Sequence, residues 1–197
     1  MGTRNLTLVF LDGEYRIAQY GQWDGYPEGQ GVTALAFARK LQNKQFREEF
    51  ERKVRALSWI TQDELDAFFK KVYDGEIPNW EKVYPEYTRD TCAEILKVVA
   101  ERKEGLKLVN ELPFAADSLW CEWAWLIDLD HNTFEGYEGF NKEPLTEKDR
   151  FFFLRDKEKD DFHAIRLAGQ WDLDKLPSEA EFIAYFEKDE DEEDEEE

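Results

Sequence analysis

The sequence predicts an α+β fold, on three observations. Residues 5–11 are apolar and β-branched, 14–20 alternate polar with apolar, and an aromatic, apolar run returns at 121–128, all patterns of strands. Between them, over 32–104, apolar residues recur at three- and four-residue spacing, which is the period of a helix face. Two separated strand blocks gain a common core most simply by pairing into one sheet. The expected architecture is a single domain over 1–186: a mostly antiparallel sheet from both strand blocks, with the helices of 32–104 inserted as a lobe. An acidic run at 187–197 follows. It has nothing to bury and is expected to be disordered.

Residues 5–11 are apolar and β-branched, Asp12-Gly13 is a type I′ turn signal, and 14–20 alternate, so a β-hairpin opens the chain. Residues 32–41 read as a helix with Leu35, Ala38 and Leu41 on one face. A second helix over 43–57 carries Phe46, Phe50, Val54 and Leu57. Thr61 with Glu64 forms a capping box for a third helix over 62–73, closed by Asp74-Gly75. Residues 76–87 hold Pro78, Pro85, Trp80, Tyr84 and Tyr87 and read as an ordered loop. A helix over 91–103 stops at Gly105. Residues 121–128 and 133–137 form a second hairpin around Asp130-His131-Asn132, with further strands expected at 150–155 and 162–168. Pro177-Ser178 starts a last helix to about Phe186.

The stretch 19–31, Gln-Tyr-Gly-Gln-Trp-Asp-Gly-Tyr-Pro-Glu-Gly-Gln-Gly, joins the first hairpin to the helical lobe. Gly25, Gly29 and Gly31 permit positive φ and close backbone approach, and their N–H groups, ahead of a helix start, can form an anion-binding concavity. Trp23 and Tyr26 can stack on a ligand, and Gln22 can bind one. Arg4 can hold a carboxylate or phosphate, and Asp24 is a candidate base. Arg4 and Asp24 are thus the catalytic candidates. Against this stands a plain alternative, an aromatic-pinned turn with Asp24 capping local N–H groups and Arg4 paired to an acid. Gly21-Gln22-Trp23-Asp24 recurs as Gly169-Gln170-Trp171-Asp172, so Trp171 and Asp172 join the ligand-binding candidates. This holds only if the two segments occupy analogous places in the sheet. The glycine spacing matches neither a Walker A nor a dinucleotide fingerprint.

The Met1–Arg4 start and the Trp-Asp-Gly-Tyr-Pro core resemble those of a group of uncharacterised proteins from filamentous fungi, bacteria and phages. Residues 120–130, Trp-Cys-Glu-Trp-Ala-Trp-Leu-Ile-Asp-Leu-Asp, are similar to the fungal members. Many phage members carry His before Trp-Asp-Gly-Tyr-Pro, where this chain has Gln22, so a role of that His does not carry over. The resemblance implies a family and no activity.

The chain of 197 residues has a net charge of −20. Its last eleven residues hold ten acids and Lys188, a net of −9, which leaves −11 on 1–186. Such a surface repels phosphate backbones and anionic membranes. It admits a small ligand or a basic protein as partner, or a mimic of nucleic acid that blocks a basic protein. Cys92 and Cys121 sit in apolar surroundings and read as inert thiols in a reducing compartment. No signal peptide or transmembrane run is visible, and the expectation is a soluble intracellular, cytoplasmic protein. His131 and His163 lack metal-ligand spacing, and Asp128-Leu-Asp130 fails the calcium-loop pattern at Thr133, so neither metal nor cofactor is expected. An N-terminal-nucleophile mechanism would need Thr3 exposed, whereas loss of Met1 exposes Gly2. The function expected is a ligand- or protein-binding module at loop 19–31, with a small hydrolase or transferase at the same loop as the alternative.

Overall fold

The computed structural model describes residues 2–102, 104–157 and 161–193, the last six by backbone alone. Strands β1 (Asn5–Leu11) and β2 (Glu14–Gly21) form the opening hairpin. Asp12 and Gly13 have φ of 55° and 75°, the left-handed pair that a type I′ turn needs. Helices α1 (Val32–Lys40) and α2 (Lys44–Arg55) follow, and the side chain of Asn43 caps α2. A short strand β3 (Ser58–Trp59) leads into α3 (Gln62–Tyr73), which has the full Thr61–Glu64 capping box. The proline-rich stretch holds α4 (Trp80–Val83), and α5 (Ile95–Glu101) follows a 3-10 turn at Cys92–Glu94. Then come β4 (Lys107–Leu108), β5 (Trp123–Asp128), β6 (Thr133–Glu138), β7 (Arg166–Asp172) and α6 (Glu179–Glu193). Among the described residues, no helix is long and apolar enough to cross a membrane. Of the tail expected from 187 onward, 187–193 continue the backbone of α6, and 194–197 lie outside the described residues.

The main sheet has the order β2-β1-β5-β6-β7. Three of its pairings are antiparallel, and β1 runs parallel to β5. A row of partners crosses each end of the sheet. One runs through Gly21, Asn5, Trp123, Glu138 and Arg166, and the other through Tyr15, Phe10, Asp128, Thr133 and Asp172. Strand β3 pairs in parallel with β4 in a separate two-stranded ribbon, which the sequence reading did not anticipate.

Alternation along the strands gives the sheet two buried faces. Val9, Ile17, Trp125, Ile127 and Phe134 face α1, α2, α5 and α6, and Phe182 and Phe186 of α6 close over Trp125. Leu6, Leu8, Ala124, Leu126 and Tyr137 face the irregular segments around Ala115 and Phe151. Two expected strands differ. Residues 150–155 are not extended, and a 3-10 run spans Phe152–Lys157. Phe151 and Leu154, three residues apart, are both buried, which suits a three-residue turn and not strand alternation. The strand expected at 162–168 lies further on, at Arg166–Asp172. It forms a sheet edge and has little apolar signal, with a mostly exposed side-chain pattern.

Candidate functional site

The loop after β2 is tied down by its own backbone. Asp24 is its left-handed residue, with φ of 53°. The Gly25 N–H donates to the Thr3 carbonyl at 3.1 Å, and the Trp125 indole N–H donates to the Gly25 carbonyl at 3.0 Å. The Asn5 amide donates to the Thr3 and Trp23 carbonyls. Pro27–Gly31 makes one π-helical turn that runs directly into α1. The N–H groups of Gly29 and Gly31 donate to the Tyr26 carbonyl, and that of Gln30 donates to the Asp24 carbonyl.

This corrects the reading of the glycines. None of Gly25, Gly29 and Gly31 has positive φ, and their amides are spent on the carbonyls of Thr3 and Tyr26, so they form no open anion concavity. Close approach is their reason. A Cβ on Gly29 would lie 2.2 Å from the Asp24 carbonyl oxygen, and one on Gly31 would lie 2.8 Å from the Trp125 ring.

The segment 88–93 clamps the loop from outside. The Gln22 N–H donates to the Arg89 carbonyl at 3.1 Å, and the Ala93 N–H donates to the Gln30 side chain at 3.1 Å. The Trp23 indole N–H donates to Asp90 at 2.7 Å. The Cys92 thiol, which burial pushes up in pKa, bonds the Trp23 carbonyl. Both cysteines are free and buried, and burial also raises Cys121. Thr3 is buried, with its carbonyl engaged by Gly25.

Several predicted residues do meet at the Gly21 end of the sheet. The Arg4 guanidinium lies 4.3 Å from the ring centroid of Trp120 and close enough to the Tyr20 hydroxyl to act on it, and that hydroxyl donates to the Gln22 side chain at 2.7 Å. Burial pushes the Tyr20 hydroxyl up in pKa, and the charges of Arg4 and Arg89 pull it back. Trp23 and Trp120 are 44% and 45% exposed, although a fixed partner orients each. Among the described residues, neither Arg4 nor Arg89 forms an ion pair. Asp24 is exposed. Tyr26 points away from this cluster, toward α6.

Trp171 and Asp172 do not belong there. Strands β2 and β7 are opposite edges of the sheet and run in opposite directions. The repeated Gly-Gln-Trp-Asp therefore ends at diagonal corners, and the expected analogy fails. Trp171 packs against Phe182 at 5.1 Å and Tyr185 at 5.3 Å. Asp172 accepts from Asn132 and from the Asp174 N–H, capping the turn at Leu173–Lys175. Asp172, an optional member of the expected hydrolase or transferase site at Arg4, Trp23 and Asp24, therefore lies at the opposite corner of the sheet.

Sequence reasoning missed a polar network at the other end of the sheet. Arg150 bridges two buried carboxylates, Asp128 and Glu135, and lies over the Phe10 ring. Glu135 also accepts from Thr133 at 2.6 Å, Gln170 at 3.0 Å and the Tyr137 hydroxyl. Asp128 accepts from the backbone N–H groups of Asp130 and His131 and contacts the His131 ring at 2.9 Å. Burial alone would raise the Asp128 carboxyl in pKa, but the His131 and Arg150 hydrogen bonds hold it below its ordinary value. Burial pushes the Tyr15 hydroxyl up to about 12. Every acceptor of Glu135 is occupied by a donor, so the network is a brace and not an acid–base pair. One signal was available: Asp128 and Glu135 stand at core-facing positions of strand alternation, and a charge there requires a partner. Among the described residues, no group of His, Cys, Asp and Glu is placed to hold a metal ion.

No protein-family model matches the chain, and no curated protein or solved structure matches it.

Proposed function

We propose that the chain is a binding protein, and that the corner built by Arg4, Tyr20, Gln22, Trp23 and Trp120 takes a partner group carrying a flat ring and an anion. The observation that carries this reading is the Arg4 guanidinium, held 4.3 Å over the half-exposed Trp120 ring with no ion pair among the described residues, in a chain of net charge −20. A planar guanidinium fixed between a ring and a hydroxyl keeps N–H edges free for bidentate contact with a carboxylate or phosphate. Trp23, pinned through its N–H, supplies a second stacking surface. Two carboxylates nearby are engaged as acceptors, Asp90 by the Trp23 indole N–H and Glu122 by the Arg4 backbone N–H, which supports a binding role over acid–base chemistry.

Isothermal titration with indole-3-acetate, with its uncharged amide, and with adenosine monophosphate tests the reading. Saturable binding of an anionic probe is expected, weakened about ten- to a hundredfold in Arg4→Gln, the loss of a hydrogen bond between charged groups, and weakened again in Trp120→Ala. Equal binding of the amide and the acid, or unchanged affinity in Arg4→Gln, rejects it.

A further inference from the structure

On the helix-covered side of the same loop, a cavity of about 290 Å³ opens between the π-helical turn and α6. Tyr26, Pro27 and Glu28 of the turn, Trp123 of β5, and Phe186 and Glu187 of α6 form its walls. Three aromatic rings and two carboxylates meet there, and no basic side chain is among the described residues that line it. We propose that this cavity binds the ammonium group of an organic cation, a lysine-type or methylated amine.

Three physical reasons favour that class of ligand. The face of an aromatic ring is electron-rich and attracts a cation, most strongly when the cation is desolvated. An apolar ligand of the same size would strip water from Glu28 and Glu187 without replacing its hydrogen bonds, which costs free energy, whereas an ammonium group satisfies them. The volume lies just under the roughly 300 Å³ at which drug-sized pockets begin, enough for one head group and too little for a nucleotide cofactor.

The site is largely built before anything enters. Trp123 stacks on Trp125 at 5.5 Å and 5°, and Phe186 meets Trp123 edge-on at 5.3 Å and 89°. Trp123 and Phe186 are nearly buried, and Tyr26, 48% exposed, forms the outer wall. Rings already locked by packing lose little freedom on binding. The glycines explain why the wall can exist: only residues without a Cβ allow the turn to fold over Asp24 and lie against Trp125. This inference stands apart from the anion-accepting corner, which uses the other face of the sheet.

The full chain, labelled with 5-fluorotryptophan, reports on the cavity through the fluorine resonance of Trp123. Three probes are titrated: choline, its neutral isostere 3,3-dimethylbutan-1-ol, and a peptide with one trimethyllysine. A saturable shift with choline or with the peptide is expected, and little shift with the isostere. Binding of the peptide alone means the cation arrives on a protein, and binding of choline alone means a free metabolite. The affinity should fall about tenfold in a Glu28→Gln, Glu187→Gln double variant, the scale of a partly desolvated cation–π and charge contact, and should be lost in Tyr26→Ala. These exposed positions leave the melting temperature unchanged, so failure to bind is not failure to fold. Arg4→Gln should leave choline binding intact, which separates this site from the proposed anion site. Equal shifts from choline and the isostere, no shift from either cation, or undiminished affinity in the double variant would overturn the proposal.

Discussion

At the Asp128 end of the sheet, an arginine lies between two buried carboxylates with a tyrosine hydroxyl beside them. At the Gly21 end, an arginine lies beside a tyrosine hydroxyl and an indole, and neither its guanidinium nor that of Arg89 forms an ion pair among the described residues. The residue types are nearly the same and the outcomes opposite. Arg150 is enclosed by Phe10, Asp128 and Glu135, and its hydrogen-bonding capacity is consumed holding β5 and β6 to the segment that covers them. Arg4 is only partly buried, and its guanidinium lies over the half-exposed Trp120 ring. The same guanidinium serves as a brace where its partners are internal and as a receptor where they are missing. In a chain this acidic, the missing partners are the informative feature.

The sharpest way to break the comparison is Arg150→Met. It strands Asp128 and Glu135 without their cation, and loss of one member of a buried ion pair costs about 3–5 kcal/mol. Urea unfolding should show that drop, and a loss under about 1 kcal/mol would mean the network braces nothing. Acid comes next. The Asp128 carboxyl is held below its ordinary value in the folded state. Its contribution is therefore complete above the unfolded value of about 4 and is lost as the pH falls through the lowered folded value. The urea midpoint of wild type should decline over that window, and Asp128→Asn should flatten the decline.

Arg4→Gln should change stability by about 0.5 kcal/mol or less, as surface substitutions do, while weakening anion binding about ten- to a hundredfold. A large loss of stability would make Arg4 a second brace and erase the contrast. A gain, not a loss, is expected midway between the two cases, at Glu86. This carboxylate is buried, its nearest cation, on Arg102, is 3.7 Å away, and its Oε2 has no hydrogen bond. Burial raises its pKa, so the charged form weighs against the folded state above that raised value and the penalty fades as the pH falls through it. Glu86→Gln should raise stability at neutral pH by about 0.5–1 kcal/mol, read as an upward shift in the melting temperature.

Features set by local chemistry were legible in the sequence. The Asp12-Gly13 turn, the Thr61 capping box and the apolar face of α2 each depend on residues within four positions of one another. The 3-10 run at Phe152–Lys157 misled because its apolar residues suit a strand by composition, and only their three-residue burial shows otherwise. The Arg150 network was illegible as a unit. Its members lie on three strands and a loop, and the 22-position separation of Asp128 and Arg150 carries no spacing rule. At the candidate corner, Arg4, Gln22 and Trp23 were legible as unusual residues beside a glycine-rich stretch. Trp120 and Arg89 were not, because pairings from distant parts of the chain bring them in. The echo at 169–172 shows the opposite failure, a strong local match with no shared place in the fold.

The parallel pairing of β1 with β5 has a consequence for how the protein is made. The two strands meet across 118 residues, the separation that also joins Arg4 to Glu122. During synthesis at about 5–20 residues per second, the opening hairpin waits some 6–24 s for its central neighbour to leave the ribosome. Its inner strand, Asn-Leu-Thr-Leu-Val-Phe-Leu, is uncharged and rich in β-forming residues, the kind of edge that recruits foreign strands. A nascent chain stalled before Trp123 should therefore bind a holdase chaperone, and one released after Asp128 should let it go.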